Sequence, residues 1–156
     1  LVLVAVVAAM FVYGRERVWT RFFGNPDLGP FNLRNPARNG RPNDGLVSTN
    51  GLCEARIDEI LPEYDTSPEH IITGIHSAFE KSGLRYKRVD DGTDQRQARY
   101  VTWTEGMRFP DTTQFMAVPL EGGKTGLIGY ARAQVGYSDA GNNLKRLKTI
   151  VKGIDA

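Results

Sequence analysis

The chain has 156 residues, a formal net charge of +2 and an isoelectric point near 8.8, with 40% hydrophobic residues. That length suits one domain with a self-sufficient core, and the single cysteine, Cys53, excludes an internal disulfide, a cysteine metal cluster and C-x-x-C-H haem attachment. The charge is uneven: six arginines face two acids in residues 1–41, which leaves a mildly acidic remainder unlike the clustered basic surface that nucleic-acid binding needs.

Leu1 to Tyr13 carries no charge and is mostly Val, Leu and Ala. As a helix it rises about 20 Å, short of a hydrocarbon core of about 30 Å. The helix can continue through Gly14-Arg15-Glu16-Arg17, with the arginines snorkelling outward. Trp19, Phe22 and Phe23 then stand where an interfacial aromatic belt belongs. Residues 1–23 are expected to form a single-pass transmembrane anchor, with Arg15, Arg17, Trp19, Arg21, Phe22 and Phe23 at the membrane interface. A secretory signal segment is the competing reading, disfavoured by the lack of a small-x-small cleavage pattern. The arginines alone would place the rest of the chain in the cytoplasm, whereas charge ahead of Leu1 would reverse that.

Residues 24–50 are rich in Gly and Pro, and Pro26, Pro30, Pro36 and Pro42 preclude a helix or a central strand. This is an extended arm, either a solvated linker or a strap across a neighbouring protein. In the second case Phe31, Leu33, Arg34 and Arg38 are its partner-contacting residues. Leu46-Val47 and Ile57 to Leu61 are expected to add short extended pieces to the core.

Ser67-Pro68-Glu69 starts a helix: an N-cap, a proline at the first position and an acid at the positive dipole end. Ile71, Ile72, Ile75, Ala78 and Phe79 make its buried stripe, and Gly83 ends it. Strands are expected over 84–89, 99–104, 114–120 and 127–135, with Phe109-Pro110-Asp111 as a turn and Gly-rich links making antiparallel hairpins. In the last strand Leu127, Gly129, Ala131 and Ala133 share one side and Ile128, Tyr130, Arg132 and Gln134 the other. The small-residue side predicts close approach by another element. Asp139 suits an N-cap for a closing helix with Leu144, Leu147, Ile150, Val151 and Ile154 inward. The expected fold class is α+β: a four-stranded antiparallel sheet with two helices on one face over residues 51–156, preceded by the transmembrane helix and the arm.

The run Val135-Gly136-Tyr137-Ser138-Asp139-Ala140-Gly141-Asn142-Asn143, with Arg146 beyond it, resembles the closing signature of the domain-of-unknown-function 1499 family. Arg41-Pro42-Asn43-Asp44 before Leu46-Val47, and Phe109-Pro110-Asp111, resemble two further pieces of it. The family's last strand usually carries Ser and Arg where this chain has Ala131, Ala133 and Gln134, so a polar site of relatives would be thinned here. The resemblance implies a membrane-anchored bacterial protein of the inner membrane with a periplasmic domain.

Candidate chemistry is sparse. Gly123-Lys124-Thr125 lacks the earlier glycine of a phosphate loop, since that position is Val118. His70 and His76, on different faces of one helix, cannot share a metal, and Cys53 has no cationic activator. No catalytic set, cofactor site or metal site is nominated. The one polar constellation is Asp111, Arg132, Tyr137, Asp139, Asn143 and Arg146, which reads either as architecture or as an anion site. The expected function is a non-catalytic accessory subunit of a larger inner-membrane protein complex, respiratory or photosynthetic, anchored by its single helix with its domain on the membrane surface. The alternative is a tethered domain binding a small anion, or an enzyme of unrecognised type.

Overall fold

Residues 1–154 are described by a computed structural model. Six strands, β1 (Asp44–Thr49), β2 (Glu59–Leu61), β3 (Arg85–Arg88), β4 (Gln97–Trp103), β5 (Pro110–Pro119) and β6 (Thr125–Ala133), form one sheet in the order β2-β1-β6-β5-β4-β3. Every pairing is antiparallel except β1 with β2, which is parallel. Four helices accompany it: α1 (Val2–Tyr13), α2 (Arg15–Phe23), α3 (Pro68–Lys81) and α4 (Asn142–Lys152).

The expected four-stranded antiparallel sheet is therefore corrected to a six-stranded mixed one. The extended pieces expected in the core at Leu46-Val47 and Ile57 to Leu61 are strands of the sheet itself: β1 pairs along β6, with Val47 opposite Gly129, and carries β2 on its outer side. Buried nearly end to end, β1 lacks the polar alternation that marks a half-exposed strand. The expected turn at Phe109-Pro110-Asp111 also moves. Pro110 and Asp111 open β5, where a first-position proline costs no ladder bond.

α3 and α4 share one face of the sheet and bury the larger core there, with Ile71, Ile75, Phe79, Phe115, Leu127, Leu147 and Ile150 almost wholly removed from solvent. Ser67 Oγ accepts from the His70 amide at 3.2 Å and caps α3. Gly129 makes room for an aromatic: a Cβ there would lie 2.7 Å from Phe115 Cε1. The 3.6-residue stripe of α3 and the period of two in β5 and β6 thus meet in one packed layer.

The arm covers the other face. Leu33, Leu46, Ile128 and Tyr130 form a second core, with Phe31 packed edge-on against Tyr130 at 4.9 Å between ring centroids. Strand side chains bind the arm's backbone. Gln114 Oε1 accepts from the Phe31 amide at 2.8 Å; Thr112 Oγ1 accepts from the Leu28 amide and donates to the Pro26 carbonyl, both at 3.0 Å. Buried backbone groups need partners, and here side chains supply them in place of a ladder.

The N-terminal segment corrects the transmembrane expectation. Gly14, at φ +90° and ψ 137°, breaks the helix, so α1 ends at Tyr13 and α2 begins anew at Arg15. α1 rises about 18 Å, and α2 carries three arginines and Glu16. No helix among the described residues is long and apolar enough to cross a membrane. The single-pass anchor over residues 1–23, and the bacterial inner-membrane placement with a periplasmic domain, are overturned by that finding.

Candidate functional site

Four of the six residues in the polar constellation converge where α4 starts over the beginning of β5. Asp139, in the turn after β6, accepts from the Gly141 amide at 2.9 Å and the Asn143 amide at 2.8 Å, satisfying backbone donors at the helix start. Asn143 Nδ2 donates to Asp139 Oδ2 at 2.6 Å, and Asn143 Oδ1 accepts from Arg146 Nη1 at 2.7 Å. Arg146 Nη2 then meets Asp111 Oδ2 at 2.8 Å, with side-chain exposures of 8% and 3%. Burial pushes the Asp111 carboxyl above the ordinary carboxylate range; Arg146 pulls it back only in part, and Asp139 adds to the rise. The linked series Asp139–Asn143–Arg146–Asp111 ties α4 to the sheet and spends its hydrogen-bonding groups within the fold.

The other two stand apart. Tyr137 is exposed. Arg132 lies on the arm side of β6, half-buried, with no hydrogen bond or ion pair among the described residues.

A second charged node was not foreseen. Arg38 Nη2 lies 2.8 Å from both Asp44 Oδ1 and Asp58 Oδ2, while Nη1 donates to the Arg56 carbonyl at 2.7 Å. Asp44 Oδ2 also accepts from the Tyr130 hydroxyl at 2.9 Å, and Asp58 Oδ2 from the Leu46 amide at 2.9 Å. Burial alone would lower the Arg38 pKa, but the bonds to Asp44 and Asp58 outweigh it and raise it. Burial likewise raises the Tyr130 hydroxyl, with Asp44 adding to it. These groups lie up to two strands apart, and no spacing in the chain announces them.

In the arm, Phe31 and Leu33 face the chain's own sheet, Arg38 sits in that node, and Arg34 is exposed. Of the expected interface residues, Trp19 Nε1 donates to the Met107 carbonyl at 2.7 Å, and its ring lies 4.9 Å from that of Phe109. Arg15 bonds the Gly106 carbonyl and Glu16 pairs with Arg85. Phe23 contacts Trp19 while remaining exposed. Arg17, Arg21 and Phe22 project from α2 into solvent.

Other reactive groups are separate. His76 Nδ1 contacts the Tyr100 hydroxyl, and Cys53 Sγ faces the Leu33 carbonyl at 3.2 Å. Lys124 stands near Glu63 and Asp65 at the hairpin after β5. Among the described residues no three His, Cys, Asp or Glu side chains converge in a metal-holding group.

The remaining feature is a cleft of about 570 Å³ between the arm and the end of β6, lined by Phe23, Leu28, Phe31, Arg41, Asn43 and Arg132 together with residues 133–136 and Asn39. No acidic residue lines it.

No family model matches the chain, and no curated protein matches it. Among solved structures it is similar to a crystallised protein of Chromobacterium violaceum, with a TM-score of 0.44 and 11% identity over 72% of this chain and 95% of that one. A protein of Thermus thermophilus aligns with a TM-score of 0.35 and 10% identity over 72% of this chain and 94% of that one.

Proposed function

We propose that this chain is a non-catalytic accessory subunit of a larger integral membrane protein complex, fastened to it through α1. One observation carries the reading: α1 is apolar on every side, yet only Met10 is buried, while Leu3, Val4, Phe11 and Val12 are each at least 70% exposed. A helix apolar all round belongs in apolar surroundings, and a contiguous exposed patch of this kind marks an interaction surface. Over the described residues α1 spans about 18 Å, and in this reading a partner's apolar surface covers it.

Charge at the foot of α1 refines the partner. Arg17 and Arg108 stand there without a protein counter-ion among the described residues. A partner with acidic groups beside its apolar surface matches this arrangement. In this reading the series from Asp139 to Asp111 is architectural, its groups bonded to one another. Membership of the domain-of-unknown-function 1499 family is part of the same proposal, on its closing signature.

Photo-crosslinking residues at positions 4 and 11 of the full chain, expressed in its own cell, test the proposal. Crosslinks to an integral membrane protein, lost in Val4→Glu/Phe11→Glu, are the expected result. A monomeric chain without crosslinks from either position overturns it.

A further inference from the structure

The geometry points to an oxyanion-binding site in the cleft at the end of β6, with Arg41 and Arg132 as its cationic clamp and an organic phosphate monoester as the class of ligand it takes. This inference is independent of the docking role of α1 and uses none of its residues.

Three observations converge. Both arginines line the cleft, and neither side chain makes a hydrogen bond or ion pair among the described residues. Elsewhere the same face neutralises its arginines: Arg38 holds two carboxylates and Arg99 holds Asp27 at 2.9 Å. Arg41 is exposed and Arg132 half-buried, both border the one cleft, and guanidinium forks match phosphate oxygens.

The cleft wall is also incomplete. Four buried polar side-chain atoms lack a partner among the described residues, and two of them, Asn43 Oδ1 and Gln134 Oε1, belong to residues of this wall. Buried polar atoms are as a rule bonded, so their concentration here fits a site whose occupant is part of its design. Asn43 is only 3% exposed, and its Nδ2 donates to the carbonyl of Gly136, another residue of the wall, at 3.1 Å.

Size and lining set the ligand class. About 570 Å³ falls within the range of small-molecule pockets, well above what a bare inorganic ion fills. Phe23, Leu28 and Phe31 add apolar wall beside the arginines, where the organic part of an ester can lie. The phosphate can belong to a soluble metabolite or to a lipid headgroup; the recognised chemistry is the same. The closing polar series differs, because Arg146 is buried and already holds Asp111 and Asn143.

Titration calorimetry of the full chain at low salt tests this with glycerol 3-phosphate, lysophosphatidic acid below its micelle concentration, and inorganic phosphate. At least one ester should bind more tightly than inorganic phosphate. Its affinity should drop at least about tenfold in Arg132→Gln and in Arg41→Gln, whose melting temperatures stay close to that of the parent. Tighter glycerol 3-phosphate identifies a soluble source, and tighter lysophosphatidic acid a lipid one. Absence of ester binding overturns the site. So does affinity unchanged by both substitutions, which would assign the lysophospholipid to the exposed face of α1. Equal affinity for inorganic phosphate overturns the ester assignment.

Discussion

Gly45 of β1 lies directly under Leu144 of α4: a Cβ on Gly45 would sit 2.8 Å from Leu144 Cα and 2.9 Å from its amide nitrogen. Backbone cannot rotate away as a side-chain tip can. Gly45→Ala should therefore lift the start of α4 and lower stability by about 1–3 kcal/mol in urea denaturation. Gly126→Ala, whose Cβ would meet the flexible Leu52 Cδ1 at 2.6 Å, should cost less. Equal losses would show that α4 does not rest on β1 as described.

Arg146 and Asp111 form a buried pair whose separate removal leaves a charge without its partner. Arg146→Met should lower stability by about 3–5 kcal/mol, and Asp111→Leu by a comparable amount. The double variant should recover most of that loss, since an apolar pair of similar volume avoids desolvating two ions. The interaction energy from a double-mutant cycle checks this; simple additivity would mean that the two side chains act independently.

Much of this cluster was legible in the chain. Asp139, Asn143 and Arg146 fall close together in the chain, although the N-cap is Gly141 and Asp139 binds the helix start from two residues further out. The α3 stripe and the four strands of the C-terminal half were likewise readable, because the periods of 3.6 and two are written into adjacent residues. The arm was not. Its Gly and Pro residues read as a linker, and what holds it, Thr112 and Gln114, lies some 80 residues later on a strand whose polar side chains resemble an exposed face. β1 was legible only as a short extended piece at Leu46-Val47, not as a full strand of the sheet: covered by α4 on one side and the arm on the other, it shows no alternation. Gly14 was the third miss, since a lone glycine at the end of an apolar run does not declare a positive φ.

Gln114 offers a test of the arm. Gln114→Leu removes the acceptor for the Phe31 amide, leaving a part-buried donor unpaired at a cost of about 1–3 kcal/mol. Hydrogen exchange at residues 28–33 should accelerate more than in α3. Uniform acceleration would mean that the arm opens only with the whole fold.

His76 gives a pH dependence. Burial, with Arg88 adding to it and Asp90 and Glu80 opposing it, holds the imidazole below its ordinary range. The folded state thus binds the proton less readily than the unfolded one, whose value is about 6.5. The His76 contribution is full above that value and is lost as pH falls through the lower folded-state value. Thermal melting from pH 7.5 to 5 should fall more steeply for the parent than for His76→Gln, which keeps a polar partner for the Tyr100 hydroxyl. Parallel curves would remove His76 from the effect.

The outermost strands have a bearing on crowding. β3 is Arg-Tyr-Lys-Arg and β2 spans only three residues before Pro62, so each rim of the sheet is either repulsive or too brief to template a neighbour. Copies of the chain at high local density are thereby steered away from fibril growth by strand addition, even though an oily helix remains available for association.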